Sequence, residues 1–153
     1  RIMIPSPKVA TYDLQPSMSA HEVTEAILPE IKKAEADFIC LNYANTDMVG
    51  HTGIWKAAIE AAVDRCVARL IPAALNNGYT VFLTSDHGNA DFLINEDGSP
   101  NTAHTLNLVP LYIIGKEAPA LVRPGKLGDV APTILRFMEL PIPAEMTGTV
   151  LID

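Results

Sequence analysis

Positive charge is scarce in this sequence. Against 18 Asp and Glu stand 11 Lys and Arg, for a formal net charge of −7 and a pI near 5.0. No run of basic residues occurs, which argues against a nucleic-acid partner and against an anionic membrane surface. Cysteine is limited to Cys40 and Cys66, which fall in a predicted strand and a predicted helix. Reduced, structural thiols are expected there, in keeping with a cytoplasmic protein. Neither a signal-peptide pattern nor an apolar stretch long enough to span a bilayer is present. Internal repeats and low-complexity segments are missing as well. With 153 residues, 48% of them apolar and 19% charged, the chain has the composition of one ordinary globular domain with a core of its own.

Histidine is sparse but concentrated. Three of the four histidines lie in three short polar stretches: Asn45-Thr46-Asp47-Met48-Val49-Gly50-His51, Thr84-Ser85-Asp86-His87-Gly88-Asn89 and Thr102-Ala103-His104-Thr105. Asp47 and His51 are four apart, so one helical turn would place both on the same face. Asp86 and His87 follow an apolar run and are predicted at the end of a strand, over the carboxyl edge of an α/β sheet. His104 is predicted on a loop. Carboxylate oxygen and neutral imidazole nitrogen are ligands for a divalent transition metal. Five such groups exceed the needs of one tetrahedral site and suggest two ions in one cleft, the arrangement used for in-line phosphoryl displacement. A single His beside an Asp is more often a hydrogen-bonded surface pair; three clusters in a short chain weigh against that reading.

The predicted elements alternate. Residues 1–18 read as an extended lead-in interrupted by Pro5, Pro7 and Pro16. Lys8 is read as a solvated lysine. Ser19 and Glu22 form a capping box for a helix whose apolar face is Val23, Ile27 and Ile31, with a kink or early end at Pro29. His21, in its first turn, is read as exposed and without function. Phe38-Ile39-Cys40-Leu41 has the length and character of a strand buried on both faces. A helix is predicted from about Ile54 to Asn76. Its core face is Ile59, Val63, Cys66, Val67, Leu70 and Ala74, and its wet face Lys56, Glu60 and Asp64. Pro72 should bend it late, and Asn77-Gly78 should stop it. Val81-Phe82-Leu83 and Val109 to Ile114 read as buried strands, with a turn or hairpin tip within Asn95 to Asn101. Asp129 to Met138 reads as a helix with Pro132 in its first turn and an apolar stripe of Val130, Ile134, Phe137 and Met138. A last short strand is expected at Thr149 to Ile152. Strands alternating with helices imply an α/β fold with a mainly parallel sheet.

The stretches Asn42 to His51, Asp86 to Ala90 and Thr102 to Thr105 resemble the cofactor-independent (2,3-bisphosphoglycerate-independent) phosphoglycerate mutases of the alkaline phosphatase superfamily. So do Ile4 to Val9, Thr11 to Leu14, Gly128 to Thr133 and Pro143 to Gly148. The likeness runs along essentially the whole chain. Thr46 and Leu108 stand where that family usually has proline, and Ser85 where alanine is common. The resemblance implies an alkaline-phosphatase-like three-layer sandwich, a mainly parallel sheet flanked by helices, present here as a partial domain. Residues 1–153 would be the C-terminal part of the metal-binding phosphatase-like domain, with no second domain in this chain. A start at Arg1 fits a piece of a longer protein.

The same resemblance implies a glycolytic isomerase that interconverts 3-phosphoglycerate and 2-phosphoglycerate through a phosphoserine, with two manganese ions. By that resemblance Asp47, His51 and His104 bind the first ion, and Asp86 and His87 the second. The nucleophilic serine, a further aspartate ligand and the inserted substrate-binding domain would come from the N-terminal part of the same protein, so no catalytic nucleophile is expected in this chain. Ser85 and Thr105, each beside a ligand, are rejected for that role. Zinc, or no metal, is expected in an isolated preparation, and the chain alone is expected to be inactive. Other readings are a phosphopentomutase or metal-dependent phosphatase of the same superfamily, and a non-catalytic metal-binding module.

Overall fold

The structure, a computed structural model, describes residues 1–59 and 63–153. The lead-in ends in a 3-10 turn at Tyr12–Leu14, and α1 (Ala20–Lys33) follows. The capping box expected of Ser19 and Glu22 does not form. The Ser19 hydroxyl donates to the Pro5 carbonyl at 2.7 Å, which ties the lead-in to the helix start. Pro29 neither ends nor shortens α1, which runs on to Lys33 and stops at Ala34 in the left-handed conformation (φ 51°). Pro29 has no N–H to give the Glu25 carbonyl one turn back, but both residues are exposed, so that carbonyl is left to water and the lost hydrogen bond is tolerated.

The helix expected from Ile54 to Asn76 is described as α3 (Trp55–Ile59) and α4 (Val63–Asn76), preceded by the short α2 (Asn45–Gly50). Glu60, expected on its wet face, lies outside the described residues. Ile59 was expected in the core and is 73% exposed. Pro72 lies within α4, and Gly78 (φ 84°) closes the helix as expected, with the Tyr79 N–H donating to the Ala74 carbonyl. Packing of α1 on α4 makes one core cluster of Ile31, Leu70 and Ala74, backed by Ile27, Tyr43 and Val81. A second cluster, Met18, Val49, Ala57 and Ala58, sits under α2 and α3.

β1 (Val81–Thr84) pairs antiparallel with β2 (Leu111–Ile114), in register from Val81 opposite Ile114 to Thr84 opposite Leu111. The class is α/β, as a partial domain. A mainly parallel sheet was expected, but the one ladder among the described residues is this antiparallel pair. Phe38 to Leu41, expected as a buried strand, carries no ladder. Phe38 is 56% exposed, and Cys40 is exposed where burial was expected. A cavity of about 520 Å³ is lined by both this segment and β1. A strand buried on both faces needs neighbours for its backbone groups, and nothing in the described chain fills that place. The expected hairpin tip is present, with Asn95 N–H donating to Ser99 and a bridge between Ile94 and Pro100. Thr149 to Ile152 forms no strand; it is held by side chains of α5 (Val130–Phe137) and of the 3-10 turn Leu127–Asp129 that leads into it.

The chain exposes 10191 Å². A compact monomer of its 16.5 kDa is expected to expose about 7,500 Å². No described helix is long and apolar enough to cross a membrane.

Candidate metal centre

Asp47 lies in the first turn of α2, and His51 follows that helix directly, still in helical conformation (φ −61°, ψ −17°). Its N–H donates to the Asp47 carbonyl at 3.0 Å. The expected single turn is therefore present, and it sets His51 Nε2 3.1 Å from Asp47 Oδ1. Gly50 allows this turn to lie against Asn89, because a Cβ there would overlap the Asn89 side-chain oxygen. His104 arrives on the loop between the hairpin tip and β2, with Nε2 3.2 Å from Asp47 Oδ1 and 3.1 Å from His51 Nε2. Three potential ligand atoms thus form a triangle with sides of 3.1, 3.2 and 3.1 Å.

The donor chemistry fits a divalent cation. His51 Nδ1 faces the Thr102 carbonyl at 2.6 Å. A carbonyl only accepts, so Nδ1 carries the hydrogen and Nε2 presents its lone pair to the triangle. Asp47 Oδ1 is buried and has no hydrogen-bond partner, although imidazole nitrogens surround it. Ligand atoms around an ion with bonds of roughly 2.0–2.2 Å lie roughly 3.0–3.5 Å apart, which matches this triangle. Asp47, His51 and His104 can therefore hold a metal.

β1 ends at Thr84, and the turn beyond it carries Asp86 and His87 to the same place. The His87 ring stacks on His104, with centroids 3.6 Å apart and planes 17° off parallel. Its Nε2 lies 3.8 Å from Asp47 Oδ1 and 3.7 Å from Asp86 Oδ1. The Asp86 carboxylate points outward and is 85% exposed. His87 Nδ1, by contrast, is buried and unpartnered. All five residues singled out in the sequence meet in one region, but Asp86 and His87 form an open edge and not a closed cage.

Other candidates fall elsewhere. Lys8 and His21 are exposed, and the one hydrogen-bonding side chain beside His21 among the described residues is Cys66, with Sγ 3.8 Å from Nδ1. The Ser85 hydroxyl donates to the His87 carbonyl at 2.7 Å. Thr105 donates its hydroxyl to Asp91, at 3.2 and 3.0 Å from the two carboxylate oxygens. Asn107 Nδ2 donates to the same carboxylate at 2.5 Å. Hydrogen bonds from Asn107 and then Thr105 hold the Asp91 carboxyl below the usual carboxylate range. Sequence reading passed over Asp91 and Asn107. They are 16 residues apart, and no spacing rule joins them.

Comparison with known proteins points to a metal-binding family. The sequence model of the Metalloenzyme superfamily matches residues 1–142. A 2,3-bisphosphoglycerate-independent phosphoglycerate mutase of Flavobacterium psychrophilum is 58% identical over 99% of this chain and 30% of its own length. One from Bacteroides fragilis is 54% identical over 99% of this chain and 31% of its own. A crystal structure of Leishmania mexicana phosphoglycerate mutase at low cobalt concentration superposes with a TM-score of 0.85 and 29% identity. The match covers 98% of this chain and 31% of that one. The chain thus spans about 30% of the length of the curated relatives it matches.

Proposed function

Because the chain belongs to the Metalloenzyme superfamily, we propose that it is the metal-binding portion of a phosphoglycerate mutase that interconverts 3-phosphoglycerate and 2-phosphoglycerate. The observation that carries this reading is the triangle of Asp47, His51 and His104, in a chain 58% identical over nearly all its length to such an enzyme. Asp47, His51 and His104 hold the first ion, and Asp86 and His87 contribute to a second. Manganese suits mixed carboxylate and imidazole ligands, and the cluster includes no cysteine to favour a softer ion. A divalent ion bound there would neutralise the charge that gathers on phosphoryl oxygens during transfer and would lower the proton affinity of a serine hydroxyl.

This chain's own groups bind and orient. The Thr102 carbonyl fixes the His51 tautomer, and the His87 ring lies flat against His104. The hydroxyls beside the ligands are committed, Ser85 to the His87 carbonyl and Thr105 to Asp91. This supports placing the nucleophile, with the groups that hold phosphoglycerate, in the remainder of a longer cytoplasmic polypeptide. Residues 1–153 are on this reading the C-terminal part of its phosphatase-like domain. The same committed hydroxyls favour a second description of the chain by itself, as a metal-binding module without turnover.

Two measurements test this. Titration calorimetry of the 153-residue chain with Mn²⁺ should show binding that His51→Ala and His104→Ala abolish. A coupled mutase assay should show no turnover by the chain alone, and turnover once the unmatched part of the Flavobacterium psychrophilum enzyme is supplied. Turnover by the chain alone would put a nucleophile within it and sink the proposed division of labour.

A further inference from the structure

The loop that delivers His104 has little to hold it by packing. Leu106 and Leu108, its large apolar side chains, are 103% and 96% exposed. No hydrogen bond engages His104 Nδ1 among the described residues; its imidazole meets only the other ligands, through Nε2 and through the stack on His87. The same loop carries the Thr102 carbonyl that orients His51. Two of the three ligands therefore depend on where residues 102–107 lie.

What holds those residues is polar and local. The Thr105 N–H donates to the Gly88 carbonyl at 2.8 Å, the bridge between the two segments. The Asp91 carboxylate then accepts from the Thr105 hydroxyl through both oxygens and from Asn107 Nδ2. Gly88 has no side chain because that space is taken: a Cβ would overlap Thr105 Oγ1 and crowd Asp91. Asp91 is four residues beyond His87, so the clamp also fixes the His104 loop to the turn that bears His87. Hydrogen bonds to an ionised carboxylate are stronger than neutral ones and better able to hold an exposed loop.

We propose that Asp91 is a positioning residue of the metal centre: through Thr105 and Asn107 it sets the loop that presents His104 to the ion and the Thr102 carbonyl to His51. This rests on the reading of Asp47, His51 and His104 as ligands. Asp91 itself touches no ion.

The test compares the wild-type 153-residue chain with Asp91→Ala and Asp91→Asn, using Mn²⁺ titration calorimetry and amide hydrogen exchange of the metal-free chains. Loss of partners that orient metal ligands typically costs roughly 10–100-fold in metal affinity, and a fall of that size is expected for Asp91→Ala. Asp91→Asn retains one acceptor oxygen and should recover part of it. Exchange at the Thr105 amide should quicken in Asp91→Ala, while amides of α1 and α4 keep their protection, which separates a displaced loop from a damaged fold. Wild-type affinity in Asp91→Ala overturns the proposal, whether or not Thr105 exchange changes. A wild-type chain that takes up no Mn²⁺ overturns the ligand reading itself, and the proposal with it.

Discussion

One hydroxyl at Thr133 serves two backbone groups. The residue is fully buried; its Oγ1 donates to the Asp129 carbonyl at 2.6 Å and accepts from the Leu151 N–H at 3.0 Å. Valine has nearly the same shape and neither function. Thr133→Val leaves a buried N–H without a partner, and such a group costs about 1–3 kcal/mol. Urea unfolding should report a loss in that range, with little change in Mn²⁺ affinity because the triad is elsewhere. At this scale the sequence was informative where chemistry is concentrated. Asp47 and His51 were legible from their four-residue spacing, and His104 from its place in a short polar stretch. Asp91, Asn107 and Thr133 were not, because an Asp, an Asn or a Thr gains its role from the backbone brought beside it by distant segments.

Among the elements, α5 shows how a terminus is secured. Asp129, buried at its start, accepts from the Lys126 N–H at 2.9 Å, from Lys126 Nζ at 2.9 Å and from the Thr149 N–H at 2.8 Å. The hydrogen bond from the Lys126 backbone, then that from its ammonium, then that from Thr149, lower its pKa to about 2. A carboxyl depressed in the folded state contributes stability that is fully present above its unfolded pKa, near ~3.9. That stability is lost as pH falls toward about 2. Thermal unfolding between pH 5 and about pH 2 should therefore show a steeper decline for wild type than for Asp129→Asn, with the two curves converging at the acid end. The capping box foreseen at Ser19 was absent, while half of one exists at Lys126 and Asp129: the carboxylate accepts from the Lys126 N–H, and the lysine side chain, which can only donate, caps no backbone N–H in return. Ser19 sits at φ −110°, ψ 23°, away from the extended conformation in which a capping side chain reaches the helix N–H groups, and its hydroxyl is turned to the Pro5 carbonyl. The helix stop at Asn77-Gly78 was legible because glycine takes the left-handed turn there, whereas apolar periodicity, which reports only the buried face, did not tell that α1 would run past Pro29.

For the whole molecule the telling quantity is surface. The exposed 10191 Å² exceeds the compact expectation by roughly 2,700 Å². That excess is larger than a standard interface buries. The strand-like segment 38–41 stands without a ladder, and the cavity beside β1 is open. The chain should accordingly bind an apolar dye such as anilinonaphthalene sulfonate. That signal should fall, and the thermal midpoint rise, when the unmatched part of the Flavobacterium psychrophilum relative is added. Dye binding unchanged by that addition would count against a covering role for it. The helices α1, α4 and α5 and the strands β1 and β2 were legible in type and order, because alternation of apolar runs and amphipathic stretches survives in any length of chain; the strands expected at Phe38 to Leu41 and Thr149 to Ile152 did not form. Sheet pairing was not legible, since strands pair with whatever lies beside them, and Phe38 to Leu41 has no such neighbour within the described residues.

The triangle of Nε2, Nε2 and Oδ1 atoms has a calorimetric consequence. His51 keeps its hydrogen on Nδ1, so two lone-pair atoms and a carboxylate oxygen would repel at 3.1–3.2 Å unless a hydrogen lay among them. His104 Nε2 is the atom placed to carry it. A neutral imidazole has one such hydrogen, so His104 must shift it from Nε2 to Nδ1 before Nε2 can hold an ion, and the hydrogen stays on the ring. In mildly alkaline solution, above the ~6.5 at which free imidazole titrates, the observed enthalpy of Mn²⁺ uptake should therefore be nearly the same in phosphate as in Tris.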